Sequence, residues 1–201
     1  MKKFELTSEF VTFLGKKLFR IKALISFGNV KEGELGGYVE KEENLSNDGN
    51  AWVYGDAEVA GNARVYGDTE VAGNAWVSGN AWVSGNARVA GNARVYGDAR
   101  VYGDAWVYGD ARVAGNARVY GDAWVYGDAD YATVHGFGSE YRTTTFFRTK
   151  AGDIGVRCGC FYGTLEEFRA KVKETHGETK TAKEYLRVAD LMEFRFSKEG
   201  V

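Results

Sequence analysis

The chain reads as a mainly β protein: a single-stranded parallel β-helix of six-residue repeats, with a β cap before it and an α+β module after it. Three observations carry this. Glycine recurs at every sixth position from Gly49 to Gly127. Each of these glycines is followed by Asn or Asp. Valine then stands at every sixth position from Val53 to Val125, so the unit is Gly-(Asn/Asp)-Ala-x-Val-x, with Thr69 the single departure from alanine. A short fixed period of this kind belongs to a solenoid, whose repeats bury their apolar faces only against their neighbours.

Each position has a physical task. In Ala-x-Val-x the apolar residues alternate with variable ones, the period of two that a strand with one buried face shows. Gly-Asn and Gly-Asp tolerate positive φ and bend the chain every six residues. Three units close one triangular coil, in which valine fills the walls and alanine keeps the centre narrow. The complete units from Gly49 to Tyr126 predict about four coils, roughly 20 Å at a strand spacing of about 4.8 Å. The spacing of an aliphatic residue and a small one four positions later, as in Val53 to Ala57 and Val59 to Ala63, resembles the hexapeptide-repeat superfamily. That resemblance implies a left-handed coil and, commonly, trimers. The flanking runs Leu35-Gly36-Gly37-Tyr38 and Thr143-Thr144-Thr145-Phe146-Phe147 to Cys158-Gly159-Cys160-Phe161 resemble uncharacterised phage and gut-bacterial proteins that carry such repeats.

A solenoid leaves a ladder edge and an apolar cross-section at each end, and both need covers. Residues 1–48 are read as the N-terminal cap. Glu9–Leu14 and Lys17–Leu24 make a hairpin about Gly15, and residues 28–37 form a glycine-rich connector. The repeats occupy 49–130. Residues 131–201 are read as a ββαα module. In it, Tyr141–Thr149 and Ile154–Phe161 flank a turn at Lys150-Ala151-Gly152-Asp153. Thr164-Leu165-Glu166-Glu167 opens a helix with a capping box that gathers Leu165, Phe168 and Val172 on one face. A last helix, about 181–195, gathers Tyr185, Val188, Ala189 and Met192.

Composition narrows the function classes. The 27 glycines, 12 tyrosines, 5 tryptophans and absent proline fit no leucine-patterned helical fold in the middle of the chain. The formal charge is −2, and no segment has the basic excess of a nucleic-acid footprint. The start Met-Lys-Lys-Phe-Glu-Leu-Thr lacks the apolar core of a signal peptide, and no apolar run suits a membrane span. The two cysteines are one residue apart and give no disulfide framework. The expectation is a reduced, cytoplasmic protein, in the host cytoplasm if phage-encoded.

The superfamily resemblance implies acyltransferases or metal-dependent hydratases that use histidines projecting from the coils, as general bases or metal ligands. This chain has only His135 and His176, both outside the repeats, so no catalytic residue and no cofactor are expected. Cys158 and Cys160 alternate on one strand and, with His135 and His176, form a weak zinc candidate; two thiols packed as small hydrophobes is the plainer reading. The Asn/Asp corners read as turn formers and not as a calcium roll, with Asp104 above Asp122 expected to repel.

The variable outward positions carry the functional expectation. Taken every eighteenth residue, they give three faces. One carries Trp52, Glu70, Arg88, Trp106 and Trp124 beside Tyr54, Tyr108 and Tyr126; the second carries Glu58, Trp76, Arg94 and Arg112; the third carries Arg64, Trp82, Arg100 and Arg118 beside Tyr66, Tyr102 and Tyr120. Trp52, Trp106, Tyr108, Trp124 and Tyr126 are the candidate interface residues. Contiguous exposed aromatics mark interfaces, and cross-strand aromatic pairs also stabilise a ladder by roughly 0.2–1 kcal/mol each. The pairs Arg94/Arg112 and Arg100/Arg118, with Tyr102 and Tyr120, are candidates for clamping an anion or nucleotide. The expected function is a non-catalytic binding or scaffold protein, forming a dimer or trimer, that sequesters a host protein or a nucleotide. A hexapeptide-repeat acyltransferase and a purely structural virion component are the competing classes.

Overall fold

The computed structural model describes residues 2–13, 15–138 and 140–197. Its centre is a parallel β-solenoid of three sheets, each with five parallel strands, so the coil makes about five turns. The thirteen hexads from Trp52–Val53 to Trp124–Val125 each contribute one short strand. Registers such as Trp82↔Arg100 and Trp106↔Trp124 fix the coil at 18 residues. Every valine from Val53 to Val125 and every repeat alanine from Ala51 to Ala123 is buried, and together they form one continuous core. The corner glycines from Gly49 to Gly121 take positive φ, whereas the Asn and Asp beside them do not. Gly85 shows why no other residue serves. Its φ is +74°, and a Cβ there would lie 2.9 Å from the Gly103 backbone nitrogen one coil below.

The corners are tied together by side chains. Asn86 donates its amide to Asp104 at 2.8 Å, Asn80 to Asp98 at 3.0 Å and Asn92 to Asp110 at 3.0 Å. Asp122, below Asp104, accepts the Tyr162 hydroxyl at 3.0 Å, and Asp128 accepts the Arg112 backbone N–H at 2.9 Å. Each carboxylate in these two like-charged steps is thus served by a donor of its own.

The N-terminal hairpin forms as expected, from Phe4–Phe13 and Lys16–Ala23; Leu14, placed at the end of its first strand by sequence, lies outside the described residues. The boundary at residue 48 shifts. Leu35–Val39, partly assigned to a connector, is a strand that pairs antiparallel with Lys16–Ala23 and parallel with Glu58–Val59. Leu45–Gly49 likewise pairs parallel with Arg64–Gly67. These two strands open the first turn of the solenoid, which is why five turns appear where the hexads alone suggest four. The hairpin therefore continues a solenoid sheet while Phe4 and Ile21 close its core. Lys3 is buried there, donating its ammonium to the Ala51 carbonyl at 2.9 Å and lying over the Phe27 ring. Asn44, fully buried, donates to the Gly61 and Ala63 carbonyls.

At the other end the module has four strands, not two. Tyr131–Phe137, Arg142–Arg148, Ile154–Cys158 and Phe161–Thr164 form an antiparallel sheet in that order. The strand Arg142–Arg148 works on both faces: Phe147 plugs the solenoid core and Phe146 joins the module's own core. Its Thr145 hydroxyl accepts the Arg118 N–H at 2.9 Å, and Ala123 bridges Thr149 in antiparallel fashion. Helix α1 (Leu165–His176) begins at the expected capping box, with Thr164 and Glu167 bonded reciprocally. Helix α2 (Lys180–Phe196) buries Tyr185, Val188, Ala189 and Met192 as predicted, with Ala182 and Phe196. Among the described residues no helix is long and apolar enough to cross a membrane.

Candidate functional site

The solenoid presents its x residues as regular columns, because parallel pairing sets each above the residue 18 positions on. On the first face the last two rungs hold four aromatic rings in continuous contact. Trp106 stacks on Tyr108 at 5.6 Å and meets Trp124 edge-on at 5.9 Å. Tyr108 stacks on Tyr126 at 5.0 Å, and Tyr126 contacts Trp124 at 5.6 Å. Tyr126 is 48% exposed and the other three are partly exposed. Above them the Arg88 guanidinium covers the Trp106 ring and pairs with Glu70. A hollow of about 260 Å³ adjoins the indoles, lined by Asp104, Trp106, Asp122, Trp124 and Lys150. The Trp124 indole N–H is buried without an acceptor among the described residues.

Trp52 must be removed from this patch. It heads the same column but is fully buried, packed edge-on by Phe4 at 6.3 Å and Phe27 at 5.4 Å. The first rung lies beneath the N-terminal cap, so the apolar side chains of that cap take the surface that lower rungs leave open.

The arginine columns also stand as expected in register, Arg94↔Arg112 and Arg100↔Arg118. Among the described residues none of these four, nor Arg64, is in an ion pair, whereas Arg20, Arg88, Arg142, Arg148 and Arg169 are. The tyrosines paired with them are less free than the sequence suggested. Tyr102 and Tyr120 meet at 4.6 Å, Tyr120 also meets Tyr162 at 4.7 Å, and the Arg157 guanidinium lies over Tyr120. A base has no open ring face at Tyr120. The free aromatic surface of this face lies two and three coils above Tyr120, where Trp82 and Tyr66 are 37% and 36% exposed.

The repeat model described as YdcK Beta solenoid repeat matches residues 81–97, 93–109 and 111–127. The match falls on the rungs whose parallel pairing and buried Val-Ala core have just been described. The chain is a β-solenoid repeat protein. No curated protein matches it.

The histidines and cysteines of this β-solenoid repeat protein all sit on its C-terminal module. His135 lies exposed on Tyr131–Phe137, its Nδ1 3.2 Å from the Thr143 hydroxyl. His176 ends α1 and stacks on Tyr185 at 5.9 Å. Cys158, Cys160 and His176 line one hollow of about 250 Å³ with Arg142, Lys171 and Tyr185, while His135 is not part of it. Among the described residues no three His, Cys, Asp or Glu side chains are placed to hold a metal ion. The Cys158 thiol sits 3.1 Å from the Thr144 hydroxyl and 3.9 Å from that of Tyr185. Burial first, and the neighbouring Cys158 second, push the Tyr185 phenol up to about 12. Both thiols are free.

Proposed function

We propose that this β-solenoid is a non-catalytic binding scaffold of the hexapeptide-repeat type, phage-derived, which self-associates and sequesters a host protein or nucleotide on its faces. The observation that supports it best is the continuous aromatic sheet Trp106-Tyr108-Trp124-Tyr126, which lies on a rigid flat wall and is only partly covered by its own chain. Four rings in one patch exceed what a ladder needs for its own stability, and exposed aromatics are enriched in interface cores. A second copy is the occupant that fits. A flat, regular face of stacked rungs is matched by itself under two-fold or three-fold rotation, and self-complementary patches give closed symmetric assemblies.

The solenoid faces support binding over catalysis in a second way. Their outward residues are Trp, Tyr, Arg, Glu, Ser and Ala, side chains for stacking and ion pairing, and the histidines are on another module. The test is native mass spectrometry and light scattering on the purified chain and on a Trp106→Ser/Tyr126→Ser variant. A dimer or trimer is expected for the parent, and for the variant a folded monomer whose thermal transition stays cooperative but moves down, since the ring pairs and the interface both add stability. A monomeric parent at tens of micromolar, roughly the concentration at which weak interfaces still assemble, overturns the reading.

A further inference from the structure

The third face carries a hollow of about 650 Å³ between the first solenoid turn and the rung of Trp82. Its floor is Leu45 and Val65, one wall is Arg64, Tyr66 and Trp82, and the other is Glu42, Glu43, Ser46 and Asn47. The volume lies in the range of small-molecule sites, about 300–1,000 Å³. Trp82 stands between two arginines of its column, Arg64 above and Arg100 below. The Arg100 guanidinium is stacked on the indole at 5.0 Å, and Tyr66 meets the indole edge-on at 6.2 Å. Arg64 and Glu43 line the same space, and neither has an ion-pair partner among the described residues, while Glu42 is held by Lys2 at 2.7 Å.

We propose that this hollow is a nucleotide site. It combines an exposed indole and the unpaired Arg64 guanidinium on one wall with the unpaired Glu43 carboxylate on the other, and a nucleotide presents the complement of all three. The base stacks on the Trp82 indole, with Tyr66 standing edge-on beside it; both residues are more than a third exposed. The phosphate pairs with Arg64, the guanidinium being the side chain whose fork matches phosphate oxygens. The Glu43 carboxylate accepts from ribose hydroxyls and repels phosphate, so the two walls fix which way round the ligand lies. The site replaces Tyr102 and Tyr120 as the place for the base, because those rings are already packed.

This deepens the binding-scaffold reading by naming a ligand, and it lies on a different face from the self-association patch. The experiment is isothermal titration calorimetry of the full chain with ATP, AMP, adenosine, inorganic phosphate and a short single-stranded oligonucleotide. ATP or AMP is expected to bind, with adenosine and phosphate weaker because each lacks half of the recognition. Trp82→Ala and Arg64→Gln, both exposed positions, are each expected to weaken binding by about tenfold or more while the circular dichroism spectrum and a cooperative melt are retained. Failure of both nucleotides to bind at millimolar concentration, binding indifferent to Trp82→Ala, or tighter binding of the oligonucleotide than of ATP overturns the proposal. The Trp106→Ser/Tyr126→Ser variant, titrated alongside, separates the two readings: it loses assembly if self-association holds, and it retains nucleotide binding if this site is right.

Discussion

Two residues show how narrowly single positions are constrained. Lys3 places an ammonium group in the apolar N-terminal end, where it caps the Gly49 and Ala51 carbonyls that begin the ladder. Desolvation is the dominant effect and lowers its pKa from 10.5 to about 8, only partly opposed by Asp48 and Asp68. Below about pH 8 the lysine is charged in both states and folding bears the full cost of burying it. Between about 8 and 10.5 the unfolded chain holds more protons than the folded one, so this site's contribution to stability rises with pH through that window. Above 10 the trend opposes it, because Tyr185 keeps its proton up to about 12 in the fold and loses it earlier when unfolded. Thermal midpoints measured across this range should climb and then fall, and Lys3→Met should flatten the climb. Gly85 is the second case: Gly85→Ala sets a methyl 2.9 Å from backbone at φ +74° and should destabilise by about 1–3 kcal/mol, where the same replacement at negative φ stabilises. Unchanged urea denaturation of that variant would contradict the corner geometry.

At the scale of elements, the repeat is legible because identical short-range rules recur thirteen times, so periodicity averages out every exception. The hairpin about Gly15 and the capping box at Thr164 are legible for a related reason, since both are set by neighbours in sequence. Leu35–Val39 and Leu45–Gly49 are not. They lack the Gly-Asn-Ala frame and become solenoid strands only because Glu58–Val59 and Arg64–Gly67 already offer an edge. Gly37 is a local signal of this, since a Cβ there would lie 2.5 Å from the Ala57 carbonyl. Tyr131–Phe137 and Phe161–Thr164 are also made strands by the partner Arg142–Arg148 and Ile154–Cys158 provide. The columns of the candidate sites follow directly from the period of 18, yet the fate of Trp52 does not, because a non-local cap decides it. The C-terminal cap depends on Phe147 in the same non-local way. Phe147→Ala should destabilise by roughly 3–5 kcal/mol, the usual cost for a buried Phe, read as a shift of the denaturation midpoint. A loss under about 1 kcal/mol, the scale of a surface substitution, would mean that the module does not plug the solenoid.

The whole molecule is a one-dimensional stack between two fixed ends, and this makes a prediction that no single contact makes. Each coil pairs only with the coils above and below. The C-terminal cap is bonded to the last turn, and the N-terminal hairpin extends the first turn and reaches down its face as far as Trp76, which Phe13 meets at 5.3 Å. Stability in such an array is close to a sum over coils and the interfaces between them. Deleting residues 73–90 joins Ala72 to Gly91, removes one coil and restores the Gly-Asn-Ala frame at the seam. Because the deletion matches the 18-residue register, every surviving column keeps its face, and Trp106 still lies above Trp124. The shortened chain should fold cooperatively, with a lower melting temperature and an unchanged oligomeric state. Deleting residues 76–90 instead removes 15, breaks the six-residue frame, and turns valine and alanine out of phase with the interior. Circular dichroism melts of the two chains decide the matter. A cooperative transition for the first and none for the second is what a stack of equivalent coils requires, and equal behaviour of the two would mean that the caps, and not the repeat, hold the fold.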